Sequence, residues 1–323
     1  MKKPLFSIVV QSYNQKELIL ETLNSIYSQD YLNIELIVTD DHSTDGSAEL
    51  IDKWIFKHRR RFVNVLLITS EKNTGISANT KRGLEKATGE FIKYIGGDDI
   101  LLPGAVSKMV DFLLENPKAR FAVGKILAFV RKDNKDITVD VYPKKRFIRY
   151  LREDKTSVDQ FRALSRNCFI PGPTSFFRRA IFEIHGYPDE KYRWYEDWHM
   201  WLKFTAAGEK IYYFPEPIVK FRRHLGSISS TSLIKRRLDY FKDNIKVMQE
   251  YIFPNLHLLR MVDIYSIVSR YKYISKLIEE GGDIKAHKRA RLYKLLDPFW
   301  WADLWHWPID KIKSIYYMRL LKS

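Results

Sequence analysis

A single cysteine, Cys168, occurs in 323 residues. That excludes an intramolecular disulfide framework and a multi-cysteine zinc site. A lone thiol fits a reducing compartment, and a free cysteine ordinarily behaves as a small buried hydrophobe. No stretch approaches the ~18 apolar residues of a membrane-spanning helix. The N-terminal apolar run is broken by Ser7 and stops at Gln11. It is shorter than the ~7–15 residues of a secretion signal's core and reads as a first buried strand. Neither G-x-G-x-x-G nor G-x-x-x-x-G-K-[ST] is present, which argues against kinase, ATPase and dehydrogenase chemistry. Internal repeats and low-complexity segments are absent. His58, His185, His199 and His287 lack the partner spacing of a metal site.

Cationic charge, in contrast, is abundant. Lys and Arg number 55 against 39 Asp and Glu, a net charge of +16. Such a surplus favours anionic partners: sugar nucleotides, nucleic acid or an anionic membrane surface. The hydrophobic fraction of 45% supports a sizeable core. Apolar runs at 5–10, 34–39, 63–69 and 90–95 read as strands. The segments 16–29, 48–56 and 76–87 carry apolar residues at helical spacing. Strands alternating with helices imply βαβ units and a mostly parallel sheet. Further on, 105–115 reads as a helix and 120–131 as one or two strands. Residues 174–185 read as a strand edge running into a helix, and 198–207 as a helix. Residues 132–168, charged and irregular, read as a mobile excursion over the site. From about 226 onward helical periodicity dominates.

Two carboxylate pairs end apolar strands: Asp40-Asp41 and Asp98-Asp99, the latter behind Gly96-Gly97. In an open α/β sheet, ligands bind outside the carboxyl ends of the strands. Carboxylates gathered in one crevice need a cation, proton or hydrogen-bond donor to compensate them. A divalent metal carrying a phosphorylated ligand answers that need.

Several segments, taken together, carry a resemblance: residues 6–14, 25–29 and 40–47, Asn73-Thr74-Gly75 with Asn79, Gly97-Asp98-Asp99 with Pro103, Glu196-Asp197, and Phe221-Arg222-Arg223-His224. In joint order and spacing the chain resembles family-2 glycosyltransferases of the GT-A fold over residues 5–230. The resemblance implies an α/β, Rossmann-like, mostly parallel central sheet flanked by helices, with a C-terminal helical appendix. It divides the chain into a glycosyltransferase domain at 1–230, with a nucleotide-sugar half (1–102) and an acceptor half (103–230), and a basic helical region at 231–323. It implies that the turn at Gln11 and Tyr13 grips the base, Tyr13 by stacking, although the family often has Pro or Thr at the place of Gln11. Asp41 accepts from a uracil-type imide, and Asn73 and Gly75 line the donor site. Asp98 touches the ribose or the metal shell, and Asp99 binds Mn²⁺ or Mg²⁺ directly. Asp197 is the general base of an inverting transfer. His224 ligates the metal or donates to the diphosphate, and Arg222 or Arg223 pairs with phosphate, with Arg178 and Arg179 as weaker phosphate candidates.

The expected reaction moves a sugar from a nucleotide-diphospho-sugar, UDP-linked by preference, to a hydroxyl of a glycan or lipid-linked glycan. The expected setting is cytoplasmic, peripheral at the inner face of the cell membrane. Residues 231–323 hold 18 Lys and Arg against 10 Asp and Glu, and residues 300–307 contain four of the eight Trp. That combination suits an anionic membrane surface or packing of the tail onto the body. The rival reading is a non-catalytic nucleotide-sugar or carbohydrate binding protein on the same scaffold. A nucleic-acid binder driven by charge is disfavoured by the acidic clusters of the body.

Overall fold

The computed structural model describes residues 3–224 and 234–281. In chain order it contains β1 (Phe6–Ser12), α1 (Ile19–Tyr27), β2 (Ile34–Asp40), α2 (Ser47–His58), β3 (Asn64–Thr69), α3 (Ile76–Leu84), β4 (Phe91–Gly96), β5 (Ile100–Leu101) and α4 (Ala105–Glu115). There follow β6 (Phe121–Lys132), β7 (Lys135–Tyr142), α5 (Lys145–Ile148), α6 (Ser157–Arg166), β8 (Ser175–Arg178), α7 (Ala180–His185), α8 (Trp198–Ala206), β9 (Ile211–Arg222), α9 (Ile234–Val247) and α10 (Met261–Glu279).

One sheet runs β3-β2-β1-β4-β8-β6-β9-β5, with β7 paired to β6. Its first four strands are parallel. β1 and β2 are buried throughout, as continuous apolar runs require when helices cover both faces. Beyond β4 the sheet is mixed: β8 runs antiparallel to β4 and β6, whereas β9 runs parallel to β6. Alternation along β1 and β2 sorts side chains between two cores. Ile8, Val10, Leu36 and Val38 face α1, α2 and α4. Val9 and Ile37 face the opposite core, which holds side chains of α3, α6 and α8. Val247 of α9 and Ile267 of α10 join that second core, so the C-terminal helices pack on the body.

Residues 132–168 are not a mobile excursion. The Asp133-Asn134 turn, with both residues at positive φ, joins β6 to β7 as a two-residue hairpin. A reciprocal cap between Thr156 and Asp159 opens α6. That helix buries Phe161 and Leu164 and ties Gln160 to both backbone groups of Ile211 at 2.7 and 2.9 Å. β9, which sequence patterning did not mark, tolerates Pro215 and Pro217 where its pairing with β6 shifts register. The Trp-rich segment at 300–307 lies outside the described residues. Among the described residues no helix is long and apolar enough to cross a membrane.

Candidate functional site

The strand order places β1 between β2 and β4. The two acid pairs therefore flank the carboxyl end of β1. Side chains of one loop bond the backbone of the next: Asn14 N to Ser43 Oγ at 2.8 Å, Gln15 N to Ser47 Oγ at 2.9 Å and Thr44 N to Asn14 Oδ1 at 2.9 Å. Asp40 closes its own turn through Ser43 N and Oγ, at 2.8 and 2.6 Å.

Asp41 clasps the loop before α3. Its carboxylate accepts from Thr74 N at 3.0 Å, Thr74 Oγ1 at 2.6 Å and Gly75 N at 2.8 Å. It is buried, with Arg82 3.7 Å away. Accepting from a base imide requires exchange of one of these bonds. Gly75 has φ +95°, and a Cβ there would stand 2.6 Å from Arg193 Cγ. Asn73 Oδ1 accepts from the Arg193 guanidinium. Tyr13 is 43% exposed, its ring open to a planar ligand. Gln11 points inward instead, donating to Thr80 Oγ1 at 2.7 Å.

The second acid pair is set by α1. Thr22 Oγ1 donates to Asp99 O at 2.6 Å, Ser25 Oγ accepts from Leu101 N at 3.0 Å, and Gln29 donates to Leu102 O at 3.0 Å. Gly97 donates to Gln11 O at 2.8 Å. A Cβ on Gly97 would lie 2.2 Å from Gln15 Oε1 and 2.7 Å from Ile19 Cδ1, so the loop lies hard against α1. Asp98 Oδ2 lies 3.0 Å from His224 Nε2. Asp99 is 1% exposed and accepts from Arg222 N at 2.9 Å through Oδ1. Its Oδ2 has no hydrogen-bond partner in the described structure. Burial, then repulsion by Asp98, pushes the Asp99 carboxyl well above the usual carboxylate range. That is the condition a cation would relieve.

Arg222 does not reach out to phosphate. It is 5% exposed, donates from Nε to Asp98 O at 2.9 Å, pairs with Glu21, and lies over the Phe129 ring at 4.7 Å. Glu21 also binds Arg131 at 2.7 Å, and Arg131 binds Asp136 at 2.6 Å. The guanidinium thus props the acid loop from behind. Arg178 and Arg179 are likewise held locally, by Glu90 at 2.9 Å and Glu183 at 2.6 Å.

Asp197 caps α8, accepting from Trp198 N at 2.6 Å and Gly172 N at 3.1 Å. Burial outweighs these bonds and pushes its carboxyl up to about 6. Glu196 is pushed well up by burial and by the charge of Asp197 beside it.

Sequence reasoning missed Lys93. It is fully buried on β4 and donates to Pro173 O at 2.7 Å and Ser175 O at 3.1 Å. Burial lowers its pKa to about 7 against the counter-pull of Asp99. Its Nζ therefore fastens β4, the strand that leads into the Asp98-Asp99 loop, to the turn whose Gly172 N holds Asp197. A lone cation inside the apolar run Phe91–Gly96 was the available signal. Arg193 was missed as well: its carbonyl accepts from Ile76 N at 3.2 Å, which fastens the segment before Asp197 to the start of α3.

Among the described residues no group of three or more His, Cys, Asp and Glu forms a metal cluster. Asp98 and His224 stand 3.0 Å apart, and the buried Asp99 follows Asp98 in the chain; carboxylate and imidazole are ligand types that a divalent ion takes together with diphosphate oxygens.

A family model described as glycosyl transferase family 2 matches residues 7–186, more than half of the chain. An uncharacterized glycosyltransferase of Haemophilus influenzae is 38% identical over 116 residues, which is 36% of this chain and 45% of that protein. The putative teichuronic acid biosynthesis glycosyltransferase TuaG of Bacillus subtilis is 26% identical over 71% of this chain and 82% of its own length. Among solved structures, S. aureus TarS 1–349 in complex with UDP-GlcNAc superposes with a TM-score of 0.60 at 18% identity, covering 91% of this chain and 82% of that one. The mannosyltransferase PcManGT from Pyrobaculum calidifontis, in complex with GDP-Man and Mn²⁺, gives a TM-score of 0.53 at 18% identity, covering 94% and 86%.

Proposed function

Because the chain belongs to glycosyl transferase family 2, we propose that it moves a sugar, with inversion, from a nucleotide-diphospho-sugar to a hydroxyl of a glycan or lipid-linked glycan. UDP is the preferred carrier. The teichuronic acid relative supports a cell-surface polysaccharide as the product. The two structural neighbours, solved with UDP-GlcNAc and with GDP-Man and Mn²⁺, support a nucleotide-sugar donor, and an open α/β sheet would take it at the carboxyl ends of β1, β2 and β4. In this reading, residues 1–102 bind the donor, residues 103–230 select the acceptor, and the reaction takes place at the inner face of the cell membrane.

The observation that carries the reading is Asp197. A carboxyl raised to about 6 is tuned close to neutrality, where a general base works best. Its Oδ1 stays engaged at the helix cap, and Oδ2 takes the acceptor's proton as the hydroxyl oxygen attacks the anomeric carbon. A single base opposite the leaving group gives one displacement and hence inversion, through an oxocarbenium-like transition state. Tyr13 stacks on the base. The Asp41 clasp fixes the loop at Asn73–Gly75 against which the nucleoside lies. Arg222 and α1 hold the Asp98-Asp99 loop rigid. Asp98, Asp99 and His224 would hold Mn²⁺ or Mg²⁺, which when bound supplies Lewis-acid neutralisation of the departing diphosphate.

Calorimetric binding of UDP, GDP and dTDP, each with Mn²⁺ and with EDTA, to wild type and Asp99→Ala tests the donor site. One nucleotide binding only with metal and with Asp99 intact is the expected result. No binding by folded protein refutes it. Metal-dependent binding without turnover of any donor favours the non-catalytic binder.

A further inference from the structure

At the end of the sheet opposite the crevice, where β2 and β3 begin, α2 runs out in a three-residue turn, Arg59–Arg61. Lys53, Lys57, Arg59 and Arg60 are exposed there. Their side chains make no ion pair or hydrogen bond in the described structure, whereas arginines elsewhere on the body, such as Arg120, Arg131 and Arg178, are paired with carboxylates. Three of the most exposed apolar side chains stand among these cations: Phe56 at 81%, Leu32 at 75% and Val63 at 60%. Arg61 is spent on architecture. Its guanidinium donates to Gln29 O at 2.7 Å, Tyr31 O at 2.8 Å and Tyr27 O at 3.0 Å. It thereby pins the loop bearing Leu32 to the end of α2. Under the turn, the rings of Trp54, His58 and Phe62 pack at 4.7 and 6.2 Å from Trp54. A cleft of about 680 Å³ opens between the last turns of α2 and the start of β3.

We propose that this end of the domain docks on an anionic lipid bilayer, with Lys53, Lys57, Arg59 and Arg60 over headgroup phosphates and Leu32, Phe56 and Val63 in the acyl boundary. Unpaired cations alone would suit any polyanion. Protruding apolar side chains interleaved with them gain nothing from a soluble polyanion, which offers no apolar phase. A bilayer interface supplies both environments at once. The surface is distinct from the Trp-rich tail and stands on its own observations, independent of the proposed transfer reaction. If the transfer reaction also holds, the crevice lies a strand's length, about 20 Å, farther from the lipid. The acceptor hydroxyl would then sit at the outer end of an extended glycan, not beside its lipid.

Flotation of the full chain with phosphatidylglycerol–phosphatidylcholine vesicles, against pure phosphatidylcholine, tests the proposal. Wild type floats with the anionic vesicles only. Arg59→Gln with Arg60→Gln lowers the partition coefficient about 30-fold, at about fivefold per charge near an anionic surface. Phe56→Ser with Val63→Ser lowers it about tenfold. Both variants keep the wild-type melting temperature, which shows that they are folded. Equal flotation of wild type with neutral vesicles overturns the proposal, as does wild-type flotation by both variants. Competition by soluble polyglutamate with Phe56→Ser/Val63→Ser unaffected also overturns it, in favour of a polyanion site.

Discussion

Asp197→Asn separates chemistry from architecture in one substitution. Asparagine caps a helix about as well as aspartate, so the bond from Trp198 N at 2.6 Å survives. The second bond, from Gly172 N at 3.1 Å, meets an amide N–H instead of an oxygen and costs about 1–2 kcal/mol. Against that loss stands a gain. The carboxyl rises from its ordinary 3.8 to about 6, so at neutral pH the buried charge opposes folding by about 3 kcal/mol, at about 1.4 kcal/mol per pH unit. The amide carries no such penalty. The variant is therefore expected to melt at the wild-type temperature or about 2 °C above it, with unchanged nucleotide affinity. Its kcat falls by ~10²–10⁴, the usual worth of a positioned base. The pH dependence follows with its sign. In wild type the base form grows from about a tenth at about pH 5 to about nine tenths at about pH 7, and kcat rises with it; the variant's profile is flat there. On acidification the stability gap closes and then reverses, because the penalty grows only as pH rises from about 4 to about 6 whereas the lost Gly172 bond costs the variant at every pH. Scanning calorimetry and a donor-turnover assay across pH give both numbers. A kcat within tenfold of wild type, or a loss of activity accompanied by a melting point several degrees lower, would refute the reasoning.

Three other perturbations read the scaffold behind the site. Lys93→Met keeps the volume but removes the bonds to Pro173 O and Ser175 O; kcat should fall about tenfold or more through misplacement of Asp197, with nucleotide affinity intact, and an unchanged kcat would free Lys93 of a positioning role. Gly97→Ala forces a methyl to within 2.2 Å of Gln15 Oε1; urea denaturation should show a loss of about 1–3 kcal/mol and titration a weaker nucleotide, whereas an unmoved midpoint would mean the loop has slack. Thr74→Val deletes the 2.6 Å bond to Asp41, worth about 1.5–3 kcal/mol for a charged acceptor, and its readout is a lower unfolding midpoint together with weakened nucleotide binding.

Much of the N-terminal half was legible because its signals are local. Unbroken apolar runs announce β1, β2 and β4, and the acid pairs at their ends announce the crevice. What escaped has its cause at long range. The role of Arg222 depends on Glu21, which lies 201 residues away in the chain, and no spacing rule reports such a pair. β9 carries two prolines that read as breaks until β6 is seen to shift register against them. The β6–β7 hairpin was missed because Asp133-Asn134 was counted as charge and not as a left-handed turn. The resemblance hands Gln11 to the ligand, but it lies within β1 and Thr80 claims its amide.

The bond from Arg222 N to Asp99 spans 123 residues, and it sets the order in which the protein can become an enzyme. A chain emerging from the ribosome can complete the parallel strands β1 to β4 from its first hundred residues, since domains assemble from the N-terminal side as they are made. The acid loop then hangs from α1 and the Gly97–Gln11 bond until β9 arrives with Arg222 and His224. Closing so long a loop is slow, and its entropy is recovered only when both ends are in place. The site is thus the last part of the domain to form, and a nascent or truncated chain carries the parallel strands without the completed acid loop.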